Sequence, residues 1–134
     1  MNAVIDENSF DNIVKYINYA DKSSEAIIIS GGSYDKSKGY FIEPTTILTT
    51  NPMFKSMQEE IFGPVLTIYI YNENWEDICK IVDSTSPYAL TGAIFAKDKE
   101  ALNLGKIILT QSAGNFYIND KPTGAVVGQQ PFGG

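Results

Sequence analysis

The sequence predicts an α/β protein built on an open, twisted, mostly parallel sheet with helices on its faces. From Val65 to Ile118, runs of strand-type residues alternate with stretches whose apolar residues recur at helical spacing, in the order strand, helix, strand, helix, strand. This order is typical of right-handed parallel crossover units. Hydrophobic residues make up 43% of the 134 positions, so the chain can bury a core. Ligands of such sheets bind beyond the carboxyl ends of the strands.

The first part of the chain predicts a helix followed by a short strand. Residues 9–22 form the helix, because their apolar side chains recur at helical spacing, and Ser9 is its expected N-cap. The β-branched run at residues 26–29 predicts a strand that ends in a turn at the glycine pair 31–32. That pair lacks the spacing of a dinucleotide-binding fingerprint, so we assign it to the turn.

A proline interrupts the extended stretch that follows. Residues 40–42 and 45–49 both have the composition of strands, and Pro44 lies between them. Because proline has no N–H to donate to a strand ladder, this extended stretch, residues 40–42 and 45–49, is expected to form an edge strand or a bent strand.

The second half of the chain supplies the clearest element predictions. The run at residues 65–71 is the strongest strand candidate, since aliphatic side chains alternate there with threonine and tyrosine. Asn74 is the expected N-cap of a helix over residues 75–83, and Asp98 is that of a second helix. Two further strands are expected where the sequence has short apolar runs, at residues 91–96 and 115–118. The buried side of the second helix is expected to consist of Ala101, Leu102, Gly105, Ile108 and Leu109.

Charge and composition exclude several classes of function. The net charge of −6 disfavours nucleic acid and anionic membrane surfaces as partners and leaves a small molecule as the best fit. No apolar run approaches the roughly 18 residues of a membrane span, and residues 1–8 lack the regions of a secretory signal. With no histidine and one cysteine, neither an internal disulfide nor a zinc site is expected. That cysteine, Cys79, lies on the apolar face of a predicted helix, so we interpret it as a core residue.

The stretch from residue 59 to 65, Glu-Glu-Ile-Phe-Gly-Pro-Val, places two acids and an aromatic directly before the strongest strand. Gly63 and Pro64 suit a bend that enters a strand, and such a bend would hold Glu60 and Phe62 at the strand end. In an arbitrary protein the same pattern would indicate a solvated acid pair and a core phenylalanine beside a turn.

This stretch resembles the signature of the aldehyde dehydrogenase superfamily. The resemblance implies NAD as the cofactor, with the carboxylate of Glu60 hydrogen-bonded to the nicotinamide ribose and the ring of Phe62 packed beside the nicotinamide. Residues 4–6, 39–45 and 115–121 also look like that family, so the resemblance covers essentially the whole chain. It implies that the sheet is part of the aldehyde dehydrogenase catalytic domain.

Residues 119–134 hold four of the eleven glycines and show no periodicity, so they predict a loop. Composition alone fits a flexible tail as well as a functional loop. The sequence from residue 124 onward resembles the substrate-anchoring loop of those aldehyde dehydrogenases that oxidise glutamate semialdehyde. The resemblance implies that main-chain N–H groups at Gly124 and Ala125 hold the substrate carboxylate and that Phe132 lines the aldehyde pocket. Some members of the family have serine at the position of Ala125, a change that leaves the main-chain donors in place.

The resemblance further implies that residues 1–134 are a single partial domain, the segment of the catalytic domain that follows the nucleophile. In the family the nucleophilic cysteine and the general-base glutamate precede this part, so no catalytic residue is expected here and the segment alone should be inactive. The full-length enzyme would be a homo-oligomeric, NAD-dependent dehydrogenase of L-glutamate γ-semialdehyde in proline catabolism. Its expected location is the cytoplasm in a bacterium or the mitochondrial matrix in a eukaryote.

Two alternatives remain open on the sequence. The chain could be a non-catalytic α/β binding module that descends from such an enzyme, because a missing nucleophile fits that history equally well. It could also belong to another aldehyde dehydrogenase subfamily, since residues 59–65 do not separate the subfamilies and only residues 124–134 do.

Overall fold

The computed structural model describes residues 2–123 and 128–129. By compactness the chain divides into two units, residues 1–70 and residues 71–134, and each has its own sheet and helices. The α/β class predicted from the sequence is confirmed. None of the helices within the described ranges is both long enough and apolar enough to cross a membrane.

The first unit packs two helices with a three-stranded sheet and a small hairpin. The sheet has the order β1, β4, β5, in which β1 and β4 are antiparallel and β4 and β5 are parallel, and β2 pairs with β3 in the hairpin. In chain order its elements are α1 (Glu7–Asp21), β1 (Ala26–Ser30), β2 (Tyr34–Asp35), β3 (Phe41–Ile42), β4 (Thr45–Thr49), α2 (Lys55–Gln58) and β5 (Val65–Tyr69).

Helix α1 begins two residues earlier than the sequence suggested. Its N-cap is Asp6, whose carboxylate accepts a hydrogen bond of 2.7 Å from the backbone N–H of Ser9. The prediction that Ser9 is the N-cap is therefore wrong, because Ser9 already lies in the first turn and donates to the true cap. The apolar stripe of α1 is buried against Ile42 of β3 and forms one of the two core clusters of this unit.

Strand β4 lies at the centre of its sheet, so the prediction of an edge or bent strand is wrong for residues 45–49, whereas β3 pairs with β2 in a two-stranded hairpin. The proline that motivated it, Pro44, stands one residue before the strand, so its missing N–H takes no part in the ladder. The first ladder donor is Thr45, whose N–H bonds the carbonyl oxygen of Pro64 at 2.8 Å. Strand β4 then pairs in parallel with β5 over five consecutive positions, from Thr45 opposite Val65 onward.

The second unit contains two parallel strands and two helices that pack on each other. The expected caps are confirmed, because the side chain of Asn74 accepts from Asp77 N and that of Asp98 accepts from Glu100 N and Ala101 N. A core cluster forms around Cys79. The elements of this unit are α3 (Trp75–Thr85), β6 (Thr91–Ile94), α4 (Lys99–Ile108) and β7 (Asn115–Ile118).

The expected run of three parallel strands over residues 65–118 is distributed over two sheets. Strands β6 and β7 are parallel, as predicted, but the parallel neighbour of β5 is β4. Alternating strands and helices predict parallel pairing, yet they do not reveal that β4, only fifteen residues before β5, already occupies that place. Strands β5 and β6 each end two residues before the predicted boundary.

Candidate functional site

Residues 59–65, which we call the signature segment, connect α2 to β5 in the first unit. The segment leaves α2 in an extended conformation, with φ −110° and ψ 145° at Glu59. At its far end Val65 N–H bonds the carbonyl oxygen of Gly63 at 2.8 Å, and the carbonyl of Pro64 receives the first ladder bond of β4. Both ends of the segment are therefore anchored to regular structure.

Alternate residues of the signature segment contact helix α1. The carboxylate of Glu59 accepts a hydrogen bond from the hydroxyl of Tyr16. Ile61 packs against the core cluster that includes Ile13. Gly63 lies so close to α1 that a Cβ added to it would fall 2.4 Å from Ile13 Cδ1. A side chain at this position would also fall 2.8 Å from Ile13 Cγ1, so the buried Ile13 would have to shift to admit it.

The two residues between these contacts, Glu60 and Phe62, are exposed. Glu60 makes no hydrogen bond or ion pair within the part of the chain that the structure describes. Phe62 is 85% exposed and has a φ of +53°, in the left-handed region that residues with a Cβ seldom occupy. The interpretation of Phe62 as a core phenylalanine is thereby excluded. Glu60 and Phe62 therefore alternate along the segment with the residues that contact α1, and both side chains are exposed.

The hydrogen bond between Tyr16 and Glu59 stabilises the protonated form of Tyr16. That bond raises the pKa of Tyr16 above its ordinary value, and burial of the hydroxyl and the negative charge of Glu59 raise it further. Tyr16 is therefore protonated at physiological pH and is able to donate. The ammonium of Lys55 lies 5.2 Å from the centre of the Tyr16 ring, so a cation contacts its face.

Sequence reasoning missed Tyr16. The signal available was a tyrosine three residues after Ile13, on the same buried stripe of α1, where a polar tip on an aromatic ring requires a partner. Its partner could not be identified from the sequence, because Glu59 lies 43 residues away.

The loop expected at residues 119–134 is described only as far as Thr123 and at residues 128–129. The predicted substrate-binding residues Gly124, Ala125 and Phe132 lie outside the described residues. The start of the loop is ordered by Asn119, whose side chain accepts from Ala96 N at 2.9 Å and donates to Ala96 O at 3.0 Å. Asn119 also has a φ of +53°.

Cys79 is a core residue, as the sequence suggested. Its side chain packs with Ile94 and Leu109, and burial raises the pKa of the thiol. A protonated, enclosed thiol is a poor nucleophile. Within the described residues, no group of three or more histidine, cysteine, aspartate or glutamate side chains could hold a metal ion.

Comparison with known proteins gives concordant results. The profile of the aldehyde dehydrogenase family matches residues 1–134. A mitochondrial Delta-1-pyrroline-5-carboxylate dehydrogenase of Dictyostelium discoideum is 59% identical, across 100% of this chain and 24% of that protein. The human mitochondrial protein of the same name is 48% identical, across 98% and 24%. The chain thus spans about a quarter of the length of these relatives.

Solved structures show the same fold. The crystal structure of the Delta-pyrroline-5-carboxylate dehydrogenase from Mycobacterium tuberculosis bound with NAD matches with a TM-score of 0.86 and 45% identity, over 98% of this chain and 24% of that one. An apo betaine aldehyde dehydrogenase from Staphylococcus aureus matches with a TM-score of 0.79 and 29% identity, over 100% and 26%. The fold is shared with both proteins, and the sequence is more similar to the first.

Proposed function

This chain belongs to the aldehyde dehydrogenase family, and we propose that it is part of an NAD-dependent enzyme that oxidises L-glutamate γ-semialdehyde, derived from Δ1-pyrroline-5-carboxylate, to L-glutamate. The relatives named for this activity are 48% and 59% identical to it, whereas the betaine aldehyde dehydrogenase is 29% identical. The difference favours this subfamily over other aldehyde dehydrogenases.

The signature segment is the proposed contact for the nicotinamide half of NAD. The carboxylate of Glu60 binds the two ribose hydroxyls, since a carboxylate has two oxygens that each accept a hydrogen bond. The ring of Phe62 lies against the nicotinamide. The observation that carries this assignment is the outward pair itself, an unpartnered carboxylate beside a phenylalanine that is 85% exposed on a segment anchored at both ends.

The cofactor, when bound, supplies the nicotinamide ring that accepts hydride. The chain's own contribution is to bind and orient. Glu60 and Phe62 hold the ring in position, and main-chain N–H groups at Gly124 and Ala125 hold the α-carboxylate of the substrate, while Phe132 lines the aldehyde pocket. Holding reactants in the reactive geometry supplies a large part of the rate of such reactions. Cys79 takes no part, because its thiol is buried.

The cofactor assignment is tested by Glu60→Gln in an enzyme of the relatives' full length that contains this sequence. Removing the charge weakens hydrogen bonds that are worth about 1.5 to 3 kcal/mol. We expect a raised KM for NAD or a slower hydride transfer in oxidation of L-glutamate γ-semialdehyde. Glu100→Gln is the matched control, because Glu100 is also an exposed acid without a side-chain partner in the described residues. Equal, unchanged kinetics in both variants would overturn the assignment.

The substrate assignment is tested by Gly124→Val in the same enzyme. A side chain at residue 124 would obstruct main-chain N–H groups that bind the head group, while a short aldehyde without a carboxylate needs no such contact. We expect kcat/KM for L-glutamate γ-semialdehyde to fall far more than kcat/KM for propanal. Equal losses on both substrates would mean that the loop supports the fold only.

The location and assembly of the enzyme are proposed on the same basis. The relatives of Dictyostelium discoideum and human are named mitochondrial. We place the enzyme in the mitochondrial matrix of a eukaryote, or in the cytoplasm of a bacterium, as a homo-oligomer that acts on a small-molecule aldehyde.

A further inference from the structure

Helix α1 carries none of the residues assigned to the cofactor or the substrate, yet the signature segment packs against it. Tyr16 bonds Glu59 at the start of the segment, Ile61 packs into the α1 core cluster, and Gly63 lies against Ile13 at the end. Glu60 and Phe62 are therefore each flanked on both sides by residues that contact α1.

These contacts differ in kind. The contacts of Ile61 and Gly63 are apolar and non-directional. They therefore restrain the distance between the segment and α1 more than the rotation of the segment about its own axis. The bond from Tyr16 to Glu59 is directional and has a charged acceptor, which makes it the strongest polar restraint on the segment. Glu59 is the residue adjacent to Glu60, so a rotation of its peptide would turn the Glu60 side chain.

The Tyr16 ring is itself held in place. Its side chain is 8% exposed, in a stripe that includes Ile13 and Ile17, and the Lys55 ammonium covers one ring face. A buried ring with few available rotamers places its hydroxyl at a defined point. Glu60, by contrast, is exposed and has no described partner to orient it.

From this geometry we infer that Tyr16 is a positioning residue for nicotinamide riboside binding, acting through Glu59 to set the direction of Glu60 and Phe62. The inference rests on the proposed function, because it concerns the same cofactor. Groups that bind through paired hydrogen bonds must be held to within roughly 0.5 Å, so loss of the side-chain bond to Glu59 should be felt at the ribose.

The test is Tyr16→Phe in the full-length enzyme, with dissociation constants for NAD and for ADP measured by titration calorimetry. ADP contains the adenosine diphosphate half of NAD and lacks the nicotinamide riboside, so it does not reach Glu60 or Phe62. We expect NAD to bind about three- to tenfold more weakly and ADP to bind unchanged, because the lost bond acts on the ribose only through Glu59 and so costs less than direct loss of a hydrogen bond to a charged group. Equal weakening of both ligands would show a general structural role and overturn the inference.

Tyr19→Phe is the matched control. Tyr19 lies on the same helix, its ring is 6.0 Å from the Lys55 ammonium, and its hydroxyl makes no hydrogen bond among the described residues. The same chemical change at Tyr19 should leave both dissociation constants unchanged. If Tyr19→Phe weakens NAD binding as much as Tyr16→Phe, the hydroxyl of Tyr16 has no special role.

Two further variants separate failure of this inference from failure of the proposed function. If Glu60→Gln weakens NAD selectively and Tyr16→Phe does not, the cofactor site stands and the positioning role is wrong. If neither does, both are wrong. Glu59→Gln, a change at an exposed residue that does not threaten folding, should act like a milder Tyr16→Phe. In a Glu59→Ala background, Tyr16→Phe should weaken NAD binding no further, because the two residues act as one unit.

Discussion

Phe62 and Asn119 share a backbone conformation and differ in what explains it. Each has a φ of +53°, and they are the two non-glycine residues with positive φ among those the structure describes. Asparagine tolerates this region, and the Asn119 side chain makes two hydrogen bonds to Ala96 that extend the end of β7. Local structure thus accounts for Asn119.

Phe62 has no such compensation. Its ring is 85% exposed, and the left-handed conformation costs a residue with a Cβ about 1 to 2 kcal/mol. Phe62 lies between two residues that contact α1, Ile61 and Gly63, and its side chain is exposed to solvent. Strain that gains no local bond is found at functional sites. The comparison therefore separates a structural use of this conformation, at Asn119, from the cofactor contact that we propose at Phe62.

The largest effect on stability is expected for Asn119→Ala. The substitution removes two hydrogen bonds and places a residue of lower tolerance at positive φ, so the free energy of unfolding should fall by about 2 to 3 kcal/mol. Urea denaturation measures this change. Asn119→Gly should lose about 1 kcal/mol less, because glycine adopts the conformation freely. Equal stability of Asn119→Ala and the unmodified protein would refute the structural role.

Gly63→Ala should be the next most disruptive change. The new Cβ would meet Ile13 Cδ1 at 2.4 Å, and overpacking of this kind costs about 1 to 3 kcal/mol. Ile13→Val removes Cδ1, the nearest colliding atom, keeps Cγ1, which would lie 2.8 Å from the new Cβ, and costs about 0.5 to 1.5 kcal/mol alone. The double variant should be more stable than the sum of the two losses implies. Strictly additive losses would show that Gly63 is not positioned by Ile13.

Phe62→Gly should stabilise the protein, by up to about 1 kcal/mol. Relief of the left-handed strain exceeds the entropic cost of a glycine, about 0.5 to 1 kcal/mol, and an exposed ring forfeits little burial. Phe95→Gly is the control, because Phe95 is 67% exposed and does not have a positive φ. That variant should be less stable than the unmodified protein. A loss of stability in Phe62→Gly, measured by urea denaturation, would mean that the ring supports the fold.

The smallest effect concerns pH. The pKa of Tyr16 is raised in the folded protein by its bond to Glu59, so the folded state holds this proton more tightly than the unfolded state. The resulting stability is complete below the ordinary tyrosine pKa of about 10 and is lost as pH rises through the raised value. Unfolding free energies of Tyr16→Phe and the unmodified protein should therefore converge above pH 10. A constant difference across that range would contradict the bond.

Local signals in the sequence predicted the parts of this fold that depend on neighbouring residues. The caps Asn74 and Asp98 were found because a cap bonds residues two or three positions away. The central place of β4 in its sheet was not predicted. Pro44 indicated an edge strand, and the bond from Thr45 to Pro64 joins residues that are far apart in the sequence. Strand pairing depends on contacts that no local pattern encodes.

The candidate site likewise has a part that the sequence predicted and a part that it did not. The sequence predicted Glu60 and Phe62 through a family resemblance, and the bend at Gly63 through backbone chemistry. Their outward presentation depends on α1, whose Tyr16 and Ile13 lie more than forty residues earlier. Periodicity placed Ile13 in the core but could not say which later segment would cover it.

The central claim is that the strained Phe62 ring serves the cofactor, and the ratio of the NAD and ADP dissociation constants in Phe62→Gly tests it most directly. Loss of a ring contact of this kind should weaken NAD binding by about tenfold, while ADP, which lacks the nicotinamide, should bind unchanged. The account predicts this selective loss in a variant that is more stable than the unmodified enzyme. Unchanged affinity for both ligands in that more stable variant would contradict it.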